Sequence, residues 1–215
     1  MNPKDFYNRT VDVYDLRHDS PPTRLVRKKE KFLIKKFASG KILDFGCGTG
    51  RFLREGVVGI DISGKMLEIA GKKSTLLIKS DENIPLKSDS VDTIFCFLTV
   101  LNMVDTKKVQ KEFFRILKPA GRILLSVASI FDHYGKKEKT VKVQGCKMKL
   151  KLYTLEELKR IFGKFNLEYF DSLFIRVKPE WGNFRPFSPM ERMHMVFEHF
   201  LPKERGGMYF LVFKK

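Results

Sequence analysis

The densest chemistry in the chain lies in Ile42-Leu43-Asp44-Phe45-Gly46-Cys47-Gly48-Thr49-Gly50, an apolar run that carries an acid and passes into three alternating glycines. Glycines so placed let bare backbone approach a ligand beyond the carboxyl end of a strand, and a helix start is expected to follow them. The spacing is G-x-G-x-G and not the G-x-G-x-x-G of a dinucleotide fold, whose pyrophosphate sits on a helix N-terminus. Asp44, two residues before the first glycine, would repel a pyrophosphate; it suits a ligand bearing an ammonium and a sulfonium. Asp61 stands 17 residues further on, at the end of a second apolar run, where a carboxylate with two acceptor oxygens takes ribose hydroxyls. Asp81 follows a third run and can accept from an exocyclic amine such as that of adenine. Acids at the ends of three successive strands mark one rim.

A sheet must hold that rim. KILDF at 41–45, VVGID at 57–61, TLLIK at 75–79, VDTIFCF at 91–97 and GRILLSV at 121–127 are short, continuous and non-alternating, the pattern of parallel strands buried on both faces. Helices are expected over 64–72 and 106–117, the second ended by Pro119, and over 23–37, where Val26, Leu33, Ile34 and Phe37 share a face while lysines and arginines stay wet. The first crossover, RFLRE, has room for little more than one helical turn. Downstream, TVKVQGCKMKL reads as a hairpin turning at Gln144-Gly145, with Lys142, Lys147, Lys149 and Lys151 on one face. Thr154 and Glu157 form a capping box, strands are expected at 167–177 and 208–214, and Ser188-Pro189-Met190-Glu191 opens a helix to about Leu201. Its stripe of Met190, Met193, Val196, Phe197 and Phe200 is assigned to core, with a substrate lid as the alternative. The fold expected is α/β and Rossmann-like: a seven-stranded, mostly parallel sheet with antiparallel last strands, helices on both faces, and an inserted hairpin and helix. Residues 1–40 would be a cap segment and helix of the same domain; 41–215 would be the ligand-binding domain, with substrate-side insertions at about 132–153 and 178–206.

Composition bounds the partners. The chain has 215 residues, 43% of them hydrophobic, enough to bury about 70% of its unfolded surface without disulfide or structural metal. Cys47, Cys96 and Cys146 lie about fifty residues apart with no CxxC pair, so they read as small buried hydrophobes; His194 and His199, five apart, do not share a helix face as metal ligands would. No apolar run reaches about 18 residues and the N-terminus is polar, so a soluble, cytoplasmic protein without membrane insertion or metal is expected. Formal net charge is +17, yet residues 42–105 hold seven Lys/Arg against nine Asp/Glu. The excess lies at 24–41, with eight basic residues and one acid, and at 136–151, with seven lysines and one glutamate. Those lysines could contact phosphates or merely guard a strand edge.

These motifs resemble the class I S-adenosylmethionine (SAM)-dependent methyltransferases, in particular the branch of ubiquinone/menaquinone-biosynthesis and small-molecule enzymes. FYNRTVDVYD is similar to the family's N-terminal aromatic segment, ILDFGCGTG to its first motif, GIDIS to its ribose motif, SDENIPLKSDSVDTIFC to its adenine loop and fourth strand, and RILKPAGRILLSV to its fifth strand. The resemblance implies that Asp44, Gly46, Cys47, Gly48 and Gly50 surround the methionyl part of SAM. It places Asp61 on the ribose, Ile62 on the adenine face, Asp81 with the Glu82 backbone on the adenine edge, and the Phe97 carbonyl toward the amino group. Tyr7 and Tyr14 would fold over the cofactor. Where many relatives carry His after the fourth strand this chain has Leu101-Asn102-Met103, leaving Asn102 as a substrate-side candidate, and the D/N-P-P-Y tetrapeptide of amino-nitrogen methylation is absent.

SAM carries its methyl on a positive sulfur, so positioning a nucleophile in line and excluding water is the main task. His133 and Tyr134, just past the fifth strand, are the candidates for a base if one is needed; a loop histidine and an aromatic cover are the alternative. The expected function is methyl transfer from SAM, with S-adenosylhomocysteine (SAH) as product, to a small molecule. RNA or protein methylation through the lysine-rich surfaces, and SAM binding without turnover, are the alternatives.

Overall fold

The computed structural model describes residues 1–73, 77–80, 83–98, 100–174, 189–196 and 200–215. The chain enters through α1 (Pro3–Thr10), a 3-10 turn and α2 (Tyr14–Arg17), then α3 (Pro21–Phe37). Asn2 caps α1 by accepting from the Asp5 N–H, and Pro3 stands at the first helical position, where its missing N–H costs nothing. Sequence periodicity gave no warning of α1 and α2, because helices of eight and four residues are too short to set up a stripe.

The central unit follows: β1 (Ile42–Phe45), β2 (Val57–Asp61), α4 (Gly64–Ala70), β3 (Leu77–Lys79), β4 (Val91–Cys96), α5 (Thr106–Ile116) and β5 (Leu117–Ala128). After it come β6 (Glu138–Val143), β7 (Cys146–Lys151), α6 (Leu155–Ile161), β8 (Asn166–Leu173), α7 (Pro189–Val196) and β9 (Met208–Lys214). Seven strands make one sheet in the order β3-β2-β1-β4-β5-β9-β8, the first five parallel and β9 antiparallel to both neighbours. The order reverses between β1 and β4, so their carboxyl ends part there and leave a crevice, the switch point at which open α/β sheets bind ligands.

The parallel strands bury both faces. Leu43, Phe45, Ile94 and Ile123 meet α5 and α6 on one side, where Phe45 and Phe113 pack edge to face at 5.1 Å. Ile42, Phe95, Leu124 and Phe210 meet Val26 and Leu33 of α3 on the other. The expected hairpin is β6 paired with β7, and its apolar face of Val141, Val143, Met148 and Leu150 is closed by Phe6 from α1. Lys142, Lys147, Lys149 and Lys151 face solvent as expected, whereas Lys139 lies on the buried face and pairs with Asp132 at 2.6 Å.

Three expectations are corrected. No helix follows the glycine turn: residues 46–56 are turns and bends, since eleven residues must return the chain to a parallel neighbour while glycines 46, 48, 50 and 56 all take positive φ. Helix α5 ends at Ile116, and Pro119 lies inside β5, whose first residue pairs with Val91 before an irregularity in register. In the segment assigned to core, Met193, Val196 and Phe200 are exposed; the side chains of Met190 and His194, and all of Phe197 and His199, lie outside what is described. Of the 75–79 and 167–177 strands, 77–79 and 167–173 are seen as strand, residues 75, 76 and 175–177 being outside the described part.

Candidate functional site

The crevice at the switch point is lined by the β1 loop, the end of β2 and the segment after β4, with Tyr7 and Tyr14 above. The loop is held down by its own backbone. Gly46 and Cys47 N–H both donate to the Ile60 carbonyl, at 2.7 and 2.9 Å, and Gly48 N–H donates to Asp61 Oδ2 at 2.9 Å. Donors that would cradle a pyrophosphate are therefore committed to β2, which is the structural counterpart of the missing dinucleotide spacing. A Cβ at Gly46 would lie 2.5 Å from Val100 Cγ2, and Gly46 sits at φ +78°, so only glycine fits. Gly50 does not line the crevice; a Cβ there would strike Leu53 and Ala70, making it a packing position against α4.

Asp44 is the focus. It is 3% exposed, lines the crevice, and its Oδ2 has no hydrogen-bond partner. Burial, then the neighbouring carboxylates of Asp61 and Glu30, push its pKa up to about 8. Asp61 lies in the same wall, its Oδ1 accepting from Ser63 N–H at 2.8 Å; burial raises its pKa against the pull of these backbone donors. Two neighbouring acids, Asp44 buried with an orphan oxygen and Asp61 half-buried, are a seat for a positively charged group. Beside them Ile62, Ile60, Phe45 and Val104 form an apolar slot open to Asp61 and Ser80. Phe97, at the end of β4, lines the crevice and stacks on Phe95 at 5.3 Å.

The N-terminal segment roofs this crevice and is pinned at three points. Ser63 Oγ donates to Asn8 Oδ1 at 2.7 Å, Tyr7 Oη donates to Met103 Sδ at 3.2 Å, and Asp15 accepts from Thr49 Oγ1 at 3.0 Å and from Arg51 at 2.8 Å. Tyr14 Oη stands 3.5 Å from the place a Gly48 Cβ would occupy. Tyr7 and Tyr14 are thus brought to the site, together with Thr49, Arg51 and Met103, which sequence reasoning passed over. Asp15 and Arg51 carried no spacing signal, being 36 residues apart.

Other candidates fall elsewhere. Asp81 and Glu82 lie outside the described residues. Asn102 is buried and fully employed, donating to the Ala128 carbonyl at 3.0 Å and to that of Lys151, and accepting from Ala128 N–H at 3.1 Å; it staples β5 to β7 and is absent from the crevice. His133 and Tyr134 are also off the crevice, on the turn before β6, with Tyr134 71% exposed. Cys47 borders the crevice but its thiol is buried, with its pKa raised by burial and by Asp44, and Cys96 and Cys146 are buried too. Among the described residues no group of three or more His, Cys, Asp or Glu is placed to hold a metal, and no helix is long and apolar enough to cross a membrane.

Residues 43–125 match the family described as a methyltransferase domain. The ubiquinone/menaquinone biosynthesis C-methyltransferase of Geotalea daltonii is 32% identical over 143 residues, 57% of this chain and 61% of that protein. The malonyl-[acyl-carrier protein] O-methyltransferase of Yersinia pestis is 36% identical over 94 residues, covering 40% of this chain and 35% of that one. The chain thus spans less than two thirds of these curated relatives. A crystal structure from Thermotoga maritima, described as a SAM-dependent methyltransferase and possible histamine N-methyltransferase, superposes with TM-score 0.66 at 21% identity over 98% of this chain and 99% of that one.

Proposed function

We propose, from the match of residues 43–125 to a methyltransferase domain and the likeness to a SAM-dependent methyltransferase structure, that this chain is a class I SAM-dependent methyltransferase that binds SAM in the switch-point crevice and transfers the methyl group to a small molecule. The observation that carries the reading is the orphan Asp44 Oδ2, buried at the rim of the glycine loop. The site fits the cofactor: a cationic group answers the two acids, and a flat apolar base answers the slot at Ile62. When bound, SAM supplies a methyl already activated on a positive sulfur.

The chain's own residues then bind, orient and exclude water. Asp44 would hold the ammonium, with the backbone of Gly46, Cys47 and Gly48 along the methionyl part and the Phe97 carbonyl toward the amino group. Asp61 keeps lone pairs for the ribose hydroxyls beyond its two backbone bonds. Ile62 would face the adenine, and Asp81 with Glu82 would meet its edge. Tyr7 and Tyr14 close the roof, which raises the strength of every charge interaction beneath. Small-molecule acceptors are supported by the relatives' names, which refer to C-methylation in quinone biosynthesis and to O-methylation of a malonyl group on an acyl-carrier protein.

Calorimetry with SAH tests the cofactor assignment: Asp61→Ala should weaken binding by about 1–3 kcal/mol through lost charged hydrogen bonds, and unchanged affinity refutes it. Radiolabelled methyl transfer into a cell extract, separated into small-molecule, RNA and protein fractions, tests the acceptor. Label in the small-molecule fraction is expected; label in RNA or protein alone, or in none, overturns the reading.

A further inference from the structure

Two buried polar residues behind the crevice take no part in the binding described above. Ser126 on β5 and Glu30 on α3 are both fully buried in the layer where Val26 and Leu33 of α3 meet Phe95, Leu124 and Phe210 of the sheet. Ser126 Oγ donates to Glu30 Oε1 at 2.5 Å, and Glu30 Oε2 has no hydrogen-bond partner. An apolar side chain at position 30 would fill this layer without the cost of a buried carboxyl. The acid therefore acts on the serine.

The serine's other bond leads to the crevice. The N–H of Leu98, a residue that lines it, donates to Ser126 Oγ at 2.7 Å. A backbone N–H can only donate, so Ser126 accepts from it and spends its single hydrogen on Glu30. Each bond in such a chain polarises the next, and the carboxyl fixes the direction in which the hydroxyl offers its lone pairs. Leu98 sits at φ +51°, in the left-handed region that a leucine rarely adopts. Its conformation is imposed from outside. The Ser126 bond imposes it, together with the Phe97 ring just before, which stacks on Phe95 at 5.3 Å.

The peptide joining Phe97 to Leu98 is trans, so its carbonyl and its N–H point in opposite directions. Strand β4 has β5 on one side and β1 on the other. Cys96, the last residue of β4, pairs with Leu125, so Ser126 stands on the β5 side of this peptide. An N–H turned to β5 leaves the carbonyl turned towards β1, and the crevice opens between β1 and β4. We infer that Ser126 and Glu30 are positioning residues of the cofactor site, turning this peptide so that the Phe97 carbonyl meets the α-amino group of SAM beside Asp44. The inference rests on the SAM-binding reading above. Neither side chain lines the crevice: Ser126 acts through the Leu98 N–H, and Glu30 acts through Ser126.

The test compares two ligands on the full chain by calorimetry: SAH, and its deamino analogue with hydrogen in place of the α-amino group. Wild type should bind SAH the more tightly. Ser126→Ala should weaken SAH about tenfold, the upper end of one hydrogen bond's usual worth, and leave the analogue within about twofold of wild type. Glu30→Ala should erode the same preference, and Glu30→Gln, whose amide oxygen still accepts from the serine, should restore most of it. Because the two residues act in series, Ser126→Ala combined with Glu30→Ala should lose no more than Ser126→Ala alone. A general loosening of the fold would weaken both ligands alike and would gain nothing from glutamine. Equal weakening of the two ligands, unchanged SAH affinity in Ser126→Ala, glutamine no better than alanine at position 30, or additive losses overturns the inference. Wild type that binds SAH no better than the analogue overturns it too, while leaving SAM binding in place; wild type that takes up neither ligand overturns the SAM reading and this inference with it.

Discussion

Replacing Asp44 by Asn separates what the carboxylate costs the fold from what it gives a cationic ligand. Its pKa stands at about 8 against an ordinary value of 3.8, a penalty on the ionised form of about 6 kcal/mol. Between those two values the native protein holds a proton that the unfolded chain has released. This group's contribution to stability is therefore full below about pH 4 and falls by about 1.4 kcal/mol per pH unit until about pH 8. Asparagine cannot ionise, so Asp44→Asn should unfold in urea close to wild type at pH 4 and gain several kcal/mol relative to it at pH 8. Ligand binding runs the other way. A cation selects the ionised carboxylate, so at pH 7 SAH uptake by wild type should release about 0.9 proton from Asp44, given its pKa near 8. Affinity should rise about tenfold from pH 6 to pH 7. Calorimetry in buffers of different ionisation enthalpy measures the release, and Asp44→Asn should abolish it while weakening SAH binding by about 1.5–3 kcal/mol. An equal stability change at both pH values, or binding by wild type without proton release, would refute the reasoning.

Three further outcomes follow from the packing. Gly46→Ala should lower stability by about 1–3 kcal/mol, because positive φ and the Val100 methyl both oppose a Cβ, and should weaken SAH binding in the same calorimetric assay. Asn102→Ala removes three bonds to backbone and should cost about 2–4 kcal/mol in urea unfolding with SAH affinity unchanged; a selective loss of affinity would return Asn102 to the site. Lys139→Met leaves Asp132 buried beside an apolar neighbour and should cost about 3–5 kcal/mol, with Asp132→Leu added in the same chain recovering much of it, as read from urea midpoints.

The sheet was legible because parallel strands write themselves as apolar runs, and Asp44, Gly46, Gly48 and Asp61 were legible because a tight turn between two such strands restricts residue choice. The roof was not. Tyr7 and Tyr14 could be placed by family resemblance, but the helices that carry them are too short to show a periodicity, and their anchors to Ser63, Met103 and Thr49 are all tertiary. His133 looked well placed by distance along the chain from β5, yet the turn before β6 carries it away from the crevice. His18, three residues ahead of Pro21-Pro22, reads as a loop residue until Tyr14 folds onto it. Glu30, one acid in a lysine-rich helix, is buried on Ser126, and its pKa is pushed up to about 7 by burial; nothing in the pattern of charges marks it.

Phe6 and Tyr7 are neighbours in one turn of α1, and they serve different partners: the first seals the hairpin, the second roofs the crevice. A displacement of that single turn uncovers the crevice and the hairpin's apolar face together. Anything that holds the turn over the crevice therefore also holds the hairpin's seal, and by thermodynamic reciprocity a firmer seal favours the closed crevice in equal measure.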